Sequence, residues 1–349
     1  MHSAASAAPS EGRARPTLRD VAQLAGVSPK TVSRVVNGEA GVSAPKTAAV
    51  RRAIAQLDYR PNFTASSLRR ANGRSAAIAA VLEDLANPFS AALHRALEDV
   101  ARERGVLIFA GSVDESPERE RELVHAFTMR QADALVVVPA SDDQSYLAGE
   151  VSSGTPVVFV DRPPIGLPAD AVLTDNHEGA ATAVHHLVAH GHRHVAYLGD
   201  LQTIATARQR FQGFREALAE HGIRPAGVVH DLHTERESVE AARRLLTADA
   251  PPTALFTSQN LVTVGAIRAL QQLGWQDRVA LVGFDDFPLA DLLQPAVTVI
   301  AQDAAEMGRV AASLIFRRLD GERWPPRTHL VPSRLIPRGS GEIRGPHPG

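Results

Sequence analysis

Lys30 and Arg34 stand four residues apart in SPKTVSRVV, a spacing that puts both side chains on one face of a helix. Against a major groove such a pair can meet guanine N7 and O6, while the hydroxyls of Ser28, Thr31 and Ser33 donate to phosphates. A second polar set follows short apolar runs: Asn87 and Phe89 after Ala76–Leu82, Asp161 and Arg162 closing VVFVDR, and Asp285 in LVGFDD. Carboxylate and amide oxygens accept from hydroxyls, a guanidinium donates in a fork and a phenyl ring covers an apolar face, so this set suits a polyol. Bond-making chemistry has no comparable signature. GxxxxGK, GxGxxG, GxSxG and HExxH are all missing, which argues against an enzyme. His185, His186, His190, His192 and His194 cluster without a cysteine or carboxylate motif beside them, so neither a metal nor any other cofactor is expected.

The front of the chain must hold the basic pair in place. Thr17 and Asp20 have the spacing of a capping box, so a helix should begin there and bury Val21, Leu24 and Ala25. Gly26 ends it, Val27 drops into the core, and Ser28 with Pro29 caps a second helix that runs to about Val36. Val32, Val35 and Val36 should face inward, with Asn37-Gly38 as the stop. Ser43 and Pro45 open a third helix through Ala48, Val50, Ile54 and Leu57. Spacing alone also allows a plain helical hairpin. Charge sharpens the choice: residues 1–74 hold twelve Lys+Arg against four Asp+Glu, a balance of +8, and the remainder balances at −10. That asymmetry reads as a polyanion-binding end on a body that repels the same polyanion, or more simply as a solvated basic face.

The run TLRDVAQLAGVSPKTVSRVVNGEAGVSAPKTAAVRRAIAQLDYRPN closely resembles the headpiece of the LacI family of bacterial transcription regulators. Asp-Val-Ala, Ala-Gly-Val-Ser, Thr-Val-Ser-Arg-Val and Tyr-x-Pro-Asn occur in order and at the family's spacing. Residues 1–16, small and polar, read as a disordered tail; the resemblance implies a helix-turn-helix over 17–60 and a hinge helix over 61–74 that orders only when two copies meet in the minor groove. Leu68 matches the leucine that wedges between base pairs, and Arg69 would hold the backbone. Ser66 departs from an arginine common there. The expected DNA contacts are Thr17, Ser28, Pro29, Lys30, Thr31, Ser33, Arg34, Asn37, Asn62, Leu68 and Arg69.

From Ser75 onward apolar runs alternate with amphipathic ones. The runs are Ala76–Leu82, Val106–Ala110, Ala134–Pro139, Val157–Val160, Val195–Leu198, Ala254–Phe256 and Val279–Gly283; helices are expected near 89–104, 117–130, 178–190, 205–221, 236–247, 260–273 and 303–319. This is the pattern of α/β architecture with parallel sheets, in more strands than one sheet comfortably holds. The resemblance continues and implies a two-lobed, periplasmic-binding-protein-like body over 75–338. It implies lobe 1 at about 75–173 and 302–322, lobe 2 at about 174–301 and 323–338, and chain crossings near 161–175, 298–302 and 320–330. A last strand would lie around Leu330–Ile336, and 339–349 would be a tail without the leucine heptads of a tetramerising extension.

Ligands of open parallel sheets bind beyond the carboxyl ends of the strands, here between lobes. The resemblance adds Arg210, in ARQRFQGF, at the family's pocket arginine, and places Gln259 in the pocket where Asn-Asp is usual; Thr234 replaces an aromatic. The expected effector is a sugar or related polyol.

At 349 residues and 44% hydrophobic content the chain can bury several cores. It has no cysteine, no signal-peptide pattern and no apolar run of membrane-spanning length, which together fit a cytoplasmic protein. The reading is a homodimeric regulator on palindromic double-stranded operator DNA, its affinity set by a small polar metabolite. The rival is a cytoplasmic sugar-binding protein or sugar-acting enzyme carrying a basic leader.

Overall fold

Several helix starts in this chain are marked by a side-chain oxygen, and most central strands by short apolar runs. A computed structural model describes residues 16–36, 39–59 and 75–346 and divides the chain into two units at Ser75/Ala76. In the first unit α1 spans Leu18–Ala25, α2 Pro29–Val36 and α3 Ala44–Leu57. The Thr17–Asp20 capping box forms, with Thr17 N donating to Asp20 Oδ2 at 2.7 Å. Those bonds from Thr17 hold the exposed Asp20 carboxyl below the usual range.

Val21, Ala22, Val32, Val50 and Ala53 form the centre of the core, with Leu18, Ala25, Val27 and Leu57 packed around it. Leu24, expected inside, is 46% exposed. At about 100° per residue the stripe through Leu18, Val21, Ala22 and Ala25 leaves Leu24 roughly 120° from its centre. Asn37, Asn62, Leu68 and Arg69, and the whole hinge segment, lie outside the described residues.

The second unit holds two six-stranded sheets. The first is built from β1 (Ala77–Leu82), β2 (Leu107–Ser112), β3 (Ala134–Val137), β4 (Val157–Val160) and β5 (Asp170–Thr174). Between them lie α4 (Pro88–Glu103), α5 (Pro117–Thr128) and the short α6 (Ala148–Ser152). The second sheet uses β6 (Val195–Leu198), β7 (Gly227–Val229), β8 (Ala254–Thr257), β9 (Ala280–Phe284) and β10 (Thr298–Ala301). Its helices are α7 (Asn176–Ala189), α8 (Ala205–Glu220), α9 (Glu235–Leu246) and α10 (Asn260–Leu273). Then α11 (Ala304–Leu319) and β11 (Thr328–Val331) return to the first sheet, and β12 (Arg334–Ile336) closes the second.

The spatial orders are β11-β5-β4-β3-β1-β2, all parallel, and β12-β10-β9-β8-β6-β7, parallel except for β12. Helices cover both faces of each sheet. Leu93 and Leu97 of α4 and Ile315 of α11 pack on one face of the first, and Val124 of α5 on the other. Val184 and Phe214 cover one face of the second sheet, Ala242 and Val262 its opposite face.

Two of the expected crossings fall within their windows but are narrower, and the third lies further along the chain. The stretch expected as a crossing over 161–175 contains β5, and 298–302 contains β10, so the chain passes between sheets only after Thr174 and Ala301. Residues 320–330 belong to the first sheet up to β11, and the single strand expected over Leu330–Ile336 is two strands in different sheets, separated by Pro332-Ser333. Proline lacks the N–H a continuing ladder needs. The expected tail, 339–349, is built into the second sheet as far as it is described. Ser340 Oγ donates to Leu281 O at 2.6 Å and accepts from Thr298 N at 2.9 Å, while His192 Nε2 lies 2.8 Å from Ile343 O. The histidine cluster is spent on such contacts. Among the described residues no group of three or more His, Cys, Asp and Glu could hold a metal ion.

Candidate functional site

In the first unit, α2 presents Lys30 exposed, and Arg19, Lys46, Arg51 and Arg52 are exposed as well. Ser28 caps α2 by accepting from Thr31 N at 3.2 Å, and its hydroxyl lies 2.9 Å from Thr31 Oγ1. Two of the expected phosphate donors therefore engage each other. Pro29 begins the helix, and Ser33 is half-buried. Arg34 is held on the loop that follows: its Nε lies 3.5 Å from Glu39 Oε2 and its Nη2 donates to Ala40 O at 2.5 Å.

In the second unit the polar residues expected at strand ends converge on the carboxyl ends of both sheets. β4 and β9 each end on an aspartate with left-handed backbone, Asp161 at φ 69° and Asp285 at φ 68°. The amide of each donates to a neighbouring strand, Asp161 to Val172 O at 3.0 Å and Asp285 to Ile300 O at 2.8 Å. Arg210, projecting from α8 and buried, donates from Nε to Asn176 Oδ1 at 2.7 Å and from Nη1 to Ser258 O at 2.7 Å, and pairs with Asp285 Oδ2 at 3.3 Å. Its guanidinium carbon lies 3.9 Å from the centre of the Phe284 ring. Gln302 Nε2 donates to Asp285 Oδ1 at 2.7 Å. Phe89 and Asp285 line one cavity of about 240 Å³ together with Gln302 and Asp303, at the meeting of the two sheets.

Asn87 caps α4 by accepting from Phe89 N at 3.0 Å, and its Oδ1 also accepts from Asn260 Nδ2 at 2.9 Å, joining the two lobes directly. Gln259 caps its own helix, with Oε1 accepting from Leu261 N at 2.6 Å. Arg162 lies in the wall: Nη1 and Nη2 form a fork on Glu115 and Nη1 also reaches Pro139 O. Its fork is committed to the protein.

Glu83, Glu115, Asn176, Asp200, His233 and Gln302 also belong to this site, and none is among the residues expected from the sequence. Glu83 follows β1 directly and Asp200 follows β6 by two residues, so the strand-end rule that picked out Asp161 reaches both. His233 Nδ1 lies 2.8 Å from Asp200 Oδ1. That bond and the carboxylates of Asp200, Glu115 and Glu83 hold the imidazole up to about 9 against its burial. Burial, then the charge of Glu115, push Glu83 up to about 7. Burial likewise raises Asp161, against the pull of Arg162 and Arg210.

Glu83 keeps its proton in the folded state between its ordinary value of 4.5 and about 7, and His233 keeps its own between 6.5 and about 9. In both windows the unfolded chain binds fewer protons, so stability falls as pH rises. Thermal melts in a pH series should show the midpoint dropping from pH 5 to 9. His233→Gln should flatten the upper part of that slope and Glu83→Gln the lower.

Two family models match the chain: "Bacterial regulatory proteins, lacI family" over residues 17–62 and "Periplasmic binding protein-like domain" over 184–341. The transcriptional regulator PtxS of Pseudomonas aeruginosa is 34% identical over 97% of this chain and 98% of its own. Among solved structures, a lac repressor dimer bound to operator and the anti-inducer ONPF superposes with a TM-score of 0.82 at 27% identity, covering 94% of this chain and 99% of that one. A complex of the regulator CelR with cellobiose has a TM-score of 0.68 at 31% identity, covering 93% and 100%.

Proposed function

The chain belongs to the LacI family of bacterial regulatory proteins, and from that premise we propose that its headpiece reads a palindromic operator through α2 while an uncharged polyol, most simply a sugar, sets operator affinity from the interlobe cleft. The observation that carries the first half is α2 itself, a short helix whose inner face is Val32 and whose outer face offers Lys30 and Arg34. Lys30 and Arg34 are the base readers in this reading, and Thr17, Ser28, Pro29, Thr31, Ser33 and Asn37 line the groove; Asn62, Leu68 and Arg69 supply the minor-groove hinge.

The chemistry of the cleft supports the second half. Glu83, Glu115, Asp161, Asp200 and Asp285 outnumber Arg162, Arg210 and His233, and two carboxyls in this set are pushed toward their neutral, donating form. Asn260 Oδ1 and Gln302 Oε1 are buried acceptors with no donor among the described residues. Hydroxyls satisfy both conditions, whereas a carboxylate or phosphate ligand would meet surplus negative charge. Asn87, Phe89, Asp161, Arg210 and Asp285 surround such a ligand, with Arg162 and Gln259 shaping the wall and a helix start behind them. The relative's complex with cellobiose agrees with this class of ligand.

A homodimer follows from operator symmetry, and exposed apolar residues supply its surface. Leu107 and Phe109 stand on one face of the edge strand β2, 67% and 40% exposed, and Leu292 after β9 is 70% exposed. Leu292→Asp should shift the chain toward monomer in sedimentation velocity and weaken duplex binding with it. Among the described residues no helix is long and apolar enough to cross a membrane, and a cytoplasmic site of action is part of this proposal.

The test is selection of bound duplexes from a randomised pool by the full chain, followed by a thermal-shift screen of sugars and nucleosides. A palindromic motif whose affinity falls steeply with salt, and which one of the stabilising compounds tightens or releases, is the expected result. Absence of any selected motif would refute the reading.

A further inference from the structure

Arg34 carries more partners on its own chain than a solvated surface arginine needs. Glu39 N donates to Arg34 O at 2.9 Å, which folds the loop back onto the end of α2. The Glu39 carboxylate then faces Nε at 3.5 Å, and Ala40 O takes a hydrogen bond from Nη2 at 2.5 Å. Gly41 leaves the space for this. It adopts φ +92°, and a Cβ there would fall 2.9 Å from Nη2. Two consecutive residues thus hold one edge of the guanidinium, and the third leaves room for it.

A guanidinium has five N–H groups in a fixed fork. With Nε turned to Glu39 and one Nη2 hydrogen given to Ala40, both Nη1 hydrogens and the second Nη2 hydrogen remain. Those lie at the end of the fork, the pair of nitrogens that meets guanine N7 and O6 side by side. An exposed ion pair of this kind adds little to stability. Its effect is on the arginine: an unheld side chain loses rotamer freedom on binding, and a held one has lost it already.

We propose that Glu39 is a positioning residue for base reading, holding Arg34 by its Nε edge so that the end of the fork addresses guanine. The proposal rests on Arg34 as a base-contacting residue. A carboxylate in that place has two opposed effects on DNA. It repels phosphate at every sequence, and it sharpens the choice of base at one.

The experiment uses the full chain and a motif selected from randomised duplexes by the unaltered protein. Glu39→Gln should raise affinity for a scrambled duplex, because a negative charge is gone, and reduce guanine preference about tenfold at the position that Arg34→Ala erases. Glu39→Asp should restore much of the preference. A loss of headpiece stability would instead lower binding to both duplexes together. Guanine preference unchanged in Glu39→Gln, or the two affinities moving in parallel, overturns the proposal while leaving Arg34 as the reader. A motif unaltered by Arg34→Ala overturns Arg34's role and the proposal with it.

Discussion

Arg210→Met should cost the second unit about 3–5 kcal/mol and abolish the response to effector. The reason lies in what is left behind. The guanidinium satisfies Asn176 Oδ1, Ser258 O and Asp285 Oδ2 at once, inside a site where none of the four residues is more than 9% exposed. Removing it strands a buried carboxylate and two acceptors, and breaking a buried pair from one side is far costlier than replacing both members. The double variant Arg210→Met, Asp285→Asn should therefore recover part of the loss. Denaturant titration of the full chain measures both, and an Arg210→Met chain as stable as the unaltered one would mean that the pair contributes nothing.

Arg34→Ala has the second-largest expected effect, roughly 1–3 kcal/mol on the selected duplex at fixed salt, with relaxed choice at a single base pair. Stability of the headpiece should hardly change, since the partners it loses are an exposed carboxylate and a loop carbonyl. Fluorescence anisotropy against the selected duplex and its single-base variants separates the two. An equal loss on every variant would make Arg34 a phosphate contact.

The helices were legible because their ends are marked locally. Asn260–Leu273 lies between Gln259, whose side chain caps it, and Gly274 with left-handed backbone, and both signals belong to adjacent residues. β5 carries no such mark. It begins at Asp170, a buried charge that reads as surface until its partners are known: Arg318 Nε at 2.6 Å, Trp324 Nε1 at 3.2 Å and Arg327 N at 3.1 Å, all about 150 residues later. β7, Gly227–Val229, is an edge strand of three residues with none buried, and so short an apolar run does not stand out from a loop.

The same division runs through the site. Asp161 and Asp285 could be found from strand ends alone, but the use of Arg162 depends on Glu115, whose approach is set by the sheet rather than by any spacing. Gln259 could be placed beyond a strand end, whereas the bond its Oε1 accepts from Leu261 N became visible only in the structure. Arg34 was recognisable from its place on α2, whereas its hold by Glu39 depends on how the chain turns after the helix.

β11 and β12 each form one edge of their sheet, and both follow every other strand in the chain. In chain order the headpiece and the strands β1–β10 all precede the two strands that cover β5 and β10. A chain interrupted before Thr328 would therefore carry the headpiece together with two uncovered strand edges, β5 and β10, open to aggregation.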